Sequence, residues 1–143
     1  MNLSSILLVE DHAGFAKALL TMLNHNPRLN VVAVAETAEQ ALEQLREMKV
    51  DLVLVDFSLP DMTGLNLLER LRDEYPRLQC AILSGYLLPQ HAQRALEVGA
   101  RGYLIKDNPA GILTGIERIL KGEIYISDEL RDAGFSDPVS GLT

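Results

Sequence analysis

Only one of the 143 residues is cysteine. Cys80 therefore cannot close an internal disulfide, and a single thiol cannot build a metal cluster. Basic side chains are the minority charge: 13 Lys and Arg stand against 20 Asp and Glu, leaving a formal −7 at pH 7. A chain of that sign lacks the basic face that grips phosphate backbones unaided. Long apolar runs are missing too, since stretches such as Ile6 to Val9 and Leu52 to Val55 are far too short to span a bilayer. The opening MNLSSILLVEDH carries no charged n-region and turns acidic after a brief apolar run, unlike a signal peptide. Internal repeats and low-complexity segments are lacking. The expectation from these absences is a soluble chain in the reducing cytoplasm, with no membrane partner.

What is present suits one domain with a proper core, with 48% hydrophobic and 23% charged residues. Short β-branched apolar runs alternate with longer segments of helical period. Strands are expected at 6–9, 31–35, 51–56, 80–84 and 102–106. Helices are expected at 14–25, 37–49, 64–75, 89–98 and 109–121. The first and third strands are almost continuously apolar, as strands covered on both faces are. Leu42, Leu45 and Met48 make one helical stripe, and Leu67, Leu68 and Leu71 another. Thr37 with Gln40 fits a capping box, and Asn108-Pro109 and Pro89 sit where helices begin. Gly99 and Gly122 sit where helices should stop. Five βα units predict an α/β fold: a doubly wound, five-stranded parallel sheet with right-handed crossovers and helices on both faces. Residues 128–143 lose the pattern and read as a linker or tail, with Ser127-Asp128-Glu129 as a short helix start.

In such sheets ligands bind outside the carboxyl ends of the strands. That edge collects Glu10 and Asp11 after strand 1, Asp56 at strand 3, Ser84 at strand 4 and Lys106 at strand 5. Each has an ordinary structural explanation: helix-dipole acids, a turn-forming Asp, a capping Ser, a solvated Lys. Together they would require four coincidences at the functional edges of four strands. Clustered carboxylates repel unless a cation sits among them, and oxygen donors alone favour a hard ion such as Mg²⁺. His12 adjoins the acid pair but lies past the strand end, and reads as a solvated helix-entry residue. His25 and His91 read as helix-surface residues, and Cys80 as a small buried strand residue.

The sequence resembles the receiver domain of two-component response regulators over about residues 4–126. The matching segments are Leu7 to His12, Asp51 to Gly64, Ile82 to Gly85 and Gly99 to Asp107. Asp107 after Lys106, and the run Gly122 to Ser127, resemble the LuxR/NarL-type transcription regulators within that family. The resemblance implies the flavodoxin-like strand order 2-1-3-4-5. It implies that Asp56 accepts a phosphoryl group from a sensor histidine kinase. Glu10, Asp11, Asp56 and the backbone carbonyl of Ser58 would hold Mg²⁺. Lys106 and Ser84 would pair with phosphoryl oxygens, and Ser84 with Tyr103 would form the switch that a partner reads. Ser84 stands where Thr is commoner, which keeps the hydrogen bond and loses a methyl.

On the same resemblance, residues 1–127 form the receiver. Residues 128–143 lead to a helix-turn-helix effector, whose opening Ser140 to Thr143 resembles. DNA would then be bound only through that further domain, and a homodimer is compatible with the family. The chain is not expected to be an enzyme beyond its own phosphorylation and dephosphorylation. The alternatives are a stand-alone receiver acting through a separate protein, a degenerate receiver serving only as an interaction module, and an Asp-nucleophile phosphohydrolase. The last lacks the Asp-x-Asp pattern after strand 1 and a cap segment. A nucleotide binder fails on the missing Gly-x-Gly-x-x-Gly and Gly-Lys-Ser/Thr loops.

Overall fold

The computed structural model describes residues 3–136. Ser140 to Thr143, and with them the reading of a helix-turn-helix opening, lie outside the described residues. Along the chain come β1 (Ser4–Val9), α1 (Ala13–Asn24), β2 (Leu29–Ala35), α2 (Ala38–Glu47), β3 (Leu52–Asp56) and α3 (Gly64–Glu74). They are followed by β4 (Gln79–Ser84), α4 (Pro89–Glu97), β5 (Gly102–Ile105), α5 (Pro109–Leu120), β6 (Tyr125–Ile126) and α6 (Asp128–Asp132). All pairings are parallel, in the order β2-β1-β3-β4-β5-β6. The expected order 2-1-3-4-5 is thus present and is extended by one strand. Two residues long, β6 was illegible to a pattern that needs four or more.

The sheet divides the core in two, and its strands alternate between the halves. Leu7, Val9, Val53, Val55 and Ile82 face one side, where Leu42, Leu45, Leu67, Leu68, Leu71, Ala92 and Ala95 of α2, α3 and α4 cover them. Ile6, Leu8, Leu52, Leu54 and Leu83 face the other, beneath Leu19 and Leu23 of α1 and Ile112, Ile116 and Ile119 of α5. Both faces of β1 and β3 are therefore dry, which is why their sequences do not alternate.

Local signals place the helix ends. The Thr37 side chain accepts from the Gln40 N–H at 3.0 Å, and Gln40 reaches back to the Glu36 N–H at 2.8 Å. Asp61, from the loop after β3, accepts from the N–H groups of Ala38 and Glu39, each at 3.0 Å. Three of the free donors at the start of α2 are thus satisfied, two of them by a distant residue. Those backbone bonds hold the Asp61 carboxyl below its usual range despite the opposing effect of burial. Asn108 caps α5 through the Gly111 N–H, ahead of Pro109.

The stretch read as a tail packs onto the domain as far as it is described. Leu130 is fully buried and Phe135 nearly so, both in the core beneath α4 and beside Tyr103. Asn108 Nδ2 donates to Glu129 Oε2 at 3.0 Å, and the Ser127 N–H and hydroxyl both donate to the Tyr103 carbonyl. Two apolar residues in a polar segment carry too little periodicity to predict this seat.

Candidate functional site at the carboxyl edge of the sheet

Backbone register builds the site. β1 pairs with β3 and ends at Val9, so Glu10 and Asp11 emerge beside Asp56, the last residue of β3. β4 and β5 lie on the other flank, ending at Ser84 and Ile105, which are paired; Lys106 follows immediately. The close passage of the chain after β3 depends on Gly64. A Cβ there would run into the Asp56 carbonyl oxygen, while the Gly64 N–H donates to the Phe57 carbonyl at 2.7 Å.

The structure brings Glu10, Asp11, Asp56 and Lys106 together. The Lys106 Nζ lies 3.1 Å from Asp56 Oδ2 and 2.8 Å from Glu10 Oε1. The second is the shorter approach, and it sets the ammonium against the buried Glu10 Oε1. Glu10 and Asp56 are buried, while Asp11 is open to water. The other Asp56 oxygen, Oδ1, accepts from the Ser58 N–H at 3.2 Å. The Lys106 stem passes Phe15, with Nζ 4.9 Å from the ring centroid.

Two carboxyls and one ammonium in a dry site perturb one another strongly. Burial, reinforced by the neighbouring Glu10 carboxyl, pushes Asp56 up to about 6 against the pull of Lys106. Burial opposes ionisation of Glu10 as well, but Lys106, the bond shared with Asp56 and the His12 N–H outweigh it and hold that carboxyl low. Burial works against the Lys106 ammonium, yet the two carboxylates keep it above its usual value. One lysine does not neutralise this cluster. Carboxylate oxygens of Glu10, Asp11 and Asp56 and a His12 ring nitrogen lie within 4.8 Å of one another, a donor set that fits a divalent cation.

Ser84 ends β4, the strand next to that of Asp56, and Tyr103 lies one strand further along on β5. The Ser84 hydroxyl oxygen accepts from the Tyr86 N–H at 3.0 Å. Tyr103 is fully buried, and its hydroxyl donates to the Tyr86 carbonyl at 3.3 Å. Burial raises the Tyr103 phenol, while a hydrogen bond to Ser84 opposes the rise. This aromatic ring is turned inward, into the core that α4 covers.

One histidine differs from its expectation and another gains contacts the expectation did not include. His12 is exposed at the entry to α1, as read, but its Nδ1 lies 3.2 Å from Glu10 Oε2 and 3.5 Å from Asp11 Oδ1. His91 is half-buried, stacked on Phe57 with centroids 4.3 Å apart, and its Nδ1 is buried without a hydrogen-bond partner among the described residues. Cys80 is buried as expected, and that burial pushes its thiol up to about 12. Adjacency in sequence to Glu10-Asp11 was the one available signal for His12; nothing local marked His91.

Among the described residues no helix is long and apolar enough to cross a membrane. The response regulator receiver domain family matches residues 6–117. The chain is 30% identical over 128 residues to the nitrate/nitrite response regulator protein NarL of Escherichia coli K12, covering 89% of this chain and 59% of that protein. It is 30% identical over 134 residues to the transcriptional regulatory protein DesR of Bacillus subtilis, covering 93% of this chain and 66% of that one. The chain thus spans roughly three-fifths of the length of such relatives. Among solved structures, a LuxR-family two-component response regulator from Aurantimonas superposes with a TM-score of 0.88 at 29% identity, covering 92% of this chain and 94% of that one. The chain belongs to the response regulator receiver domain family, and its relatives are NarL/LuxR-type regulators.

Proposed function

We propose that this chain is a phosphorylation-controlled switch in which Asp56 is the phosphoacceptor. The observation that carries the reading is the Asp56 carboxylate itself. It is buried at a strand end, ion-paired to Lys106 at 3.1 Å, and set among Glu10 and Asp11. An Asp56 oxygen attacks the phosphorus of a phosphohistidine on a sensor histidine kinase; the new O–P bond forms as the N–P bond breaks, and the imidazole leaves. Lys106 pairs with a phosphoryl oxygen as a point charge, and the Ser84 hydroxyl donates to another. Glu10, Asp11, Asp56 and the Ser58 carbonyl would hold Mg²⁺, which when bound offsets repulsion between the acids and the phosphoryl oxygens. Drawing Ser84 toward the phosphoryl group breaks its bond with the Tyr86 N–H. The loop that anchors the Tyr103 hydroxyl then changes, and a partner reads that change.

Output passes to a domain beyond the described residues, a helix-turn-helix acting on transcription in the cytoplasm; 1–127 is the receiver, with α6 packed onto it before the chain leads on. The relatives' names and the fraction of their length matched support this assignment. With Mg²⁺ and a small-molecule phosphodonor, intact-mass spectrometry should show one added phosphoryl group, absent in Asp56→Asn. Equal labelling of that variant would move the acceptor elsewhere.

A further inference from the structure

The His12 side chain stands at the entry to α1, beside two acids. It is exposed, yet its Nδ1 faces one oxygen of the buried Glu10 and one of Asp11 at 3.2 and 3.5 Å. Glu10 Oε2 also accepts from the His12 backbone N–H at 3.1 Å, so backbone and ring of the same residue meet at one oxygen. Glu10 meanwhile divides its oxygens: Oε1 goes to Lys106 and Oε2 to the His12 side. A cation on the His12 side would therefore not compete with the lysine.

The spacings are those of donors around one small ion. Metal–nitrogen and metal–oxygen bonds of about 2.1 Å put neighbouring donors about 3.0 Å apart at a right angle and about 3.4 Å apart at the tetrahedral angle. The 3.2 and 3.5 Å from Nδ1 to the two carboxylates lie close to those edges. Nδ1 and an oxygen of each acid thus converge on one point, where they face a carboxylate of Asp56 within the same 4.8 Å cluster. The side chains lie on consecutive residues between β1 and α1, so the backbone fixes their relation.

We propose that His12 Nδ1 is an inner ligand of the cation site and gives it a preference for imidazole-binding divalent ions of the Mn²⁺ to Zn²⁺ series over Mg²⁺. The inference rests on the cation reading of Glu10, Asp11 and Asp56 given above. Carboxylate and water suit Mg²⁺, whereas one added imidazole shifts a site toward Co²⁺ and Zn²⁺.

The test titrates the metal-stripped 143-residue chain with Co²⁺, Zn²⁺ and Mg²⁺. Visible absorption follows Co²⁺ coordination, calorimetry gives the three affinities, and excess Mg²⁺ as competitor localises Co²⁺ to the acidic site. The wild-type chain should bind Co²⁺ and Zn²⁺ more tightly than Mg²⁺. His12→Gln should weaken both by at least about tenfold, because loss of an outer-shell partner alone costs that much. Its Mg²⁺ affinity should change by less than about twofold, Mg²⁺ keeping water where imidazole was lost. His12 is exposed, and an unchanged thermal midpoint for His12→Gln checks that the fold is intact. If the variant binds Co²⁺ and Zn²⁺ as well as wild type, or loses Mg²⁺ equally, His12 is not a ligand and the inference falls. If Mg²⁺ and Co²⁺ both fail to bind the wild-type chain, the cation site itself is wrong, and this inference falls with it.

Discussion

At the scale of single residues, Asp56 costs the fold stability for the sake of its chemistry. Its carboxyl is raised to about 6 by burial and Glu10, so the folded chain holds that proton more tightly than the unfolded chain does. The stability due to this proton is fully present below the ordinary carboxylate range near pH 4. It is lost as pH rises through about 6. Replacing the carboxylate by a neutral isostere removes the penalty. Asp56→Asn should stabilise the protein by about 1–2 kcal/mol at pH 7.5 and by much less at pH 4.5, read by urea denaturation at both pH values. A destabilised variant at pH 7.5 would mean that the Lys106 pair outweighs the desolvation of Asp56.

Gly64 shows the same economy in backbone form. The Asp56 carbonyl occupies the space of its missing side chain. Gly64→Ala should cost about 1–3 kcal/mol, since a contact of that kind is relieved only by shifting backbone. Because the shifted residue is Asp56, the variant should also accept phosphoryl groups more slowly. Denaturation and intact-mass time courses check the two effects separately.

Among the elements, α6 departs most from expectation. A five-residue helix has little stability of its own, and its place is set by Leu130 and Phe135 in the core beneath α4. Leu130→Ala should destabilise the chain by about 2–5 kcal/mol, the range for emptying a fully buried leucine site. A thermal or chemical melt that leaves the variant within about 0.5 kcal/mol of wild type would show that the segment detaches freely. The clamp of Ser127 on the Tyr103 carbonyl ties this element to the strand that carries the inward tyrosine. α2 offers a milder case. Its Thr37–Gln40 box was legible as a spacing, whereas the Asp61 contribution comes from 23 residues away and was not.

For the whole molecule the governing quantity is charge. At −7, and more negative still with a phosphoryl group, the 143-residue chain should show no DNA binding in a low-salt anisotropy titration, phosphorylated or not. Arg70, Arg72 and Arg77 are the nearest approach to a basic cluster, and Asp73 and Glu74 interrupt them. Micromolar binding by this chain alone would place the DNA contact within the receiver itself.

Sequence by itself determined the βα alternation, the buried strands β1 and β3, and the edge on which Glu10, Asp11, Asp56, Ser84 and Lys106 stand. Those follow from periodicity and from the rule that ligands gather at strand carboxyl ends, both short-range properties of a chain. Roles for the same residues came from likeness to a family, since spacing alone leaves a carboxylate free to be a turn former. Tertiary structure decided the rest. Which Glu10 oxygen meets Lys106 and which meets His12, the stack of His91 on Phe57, and the inward Tyr103 depend on side-chain directions set by neighbours far away in sequence. β6 and α6 belong with them: segments this short have no period to read, and only the core they complete makes them stable.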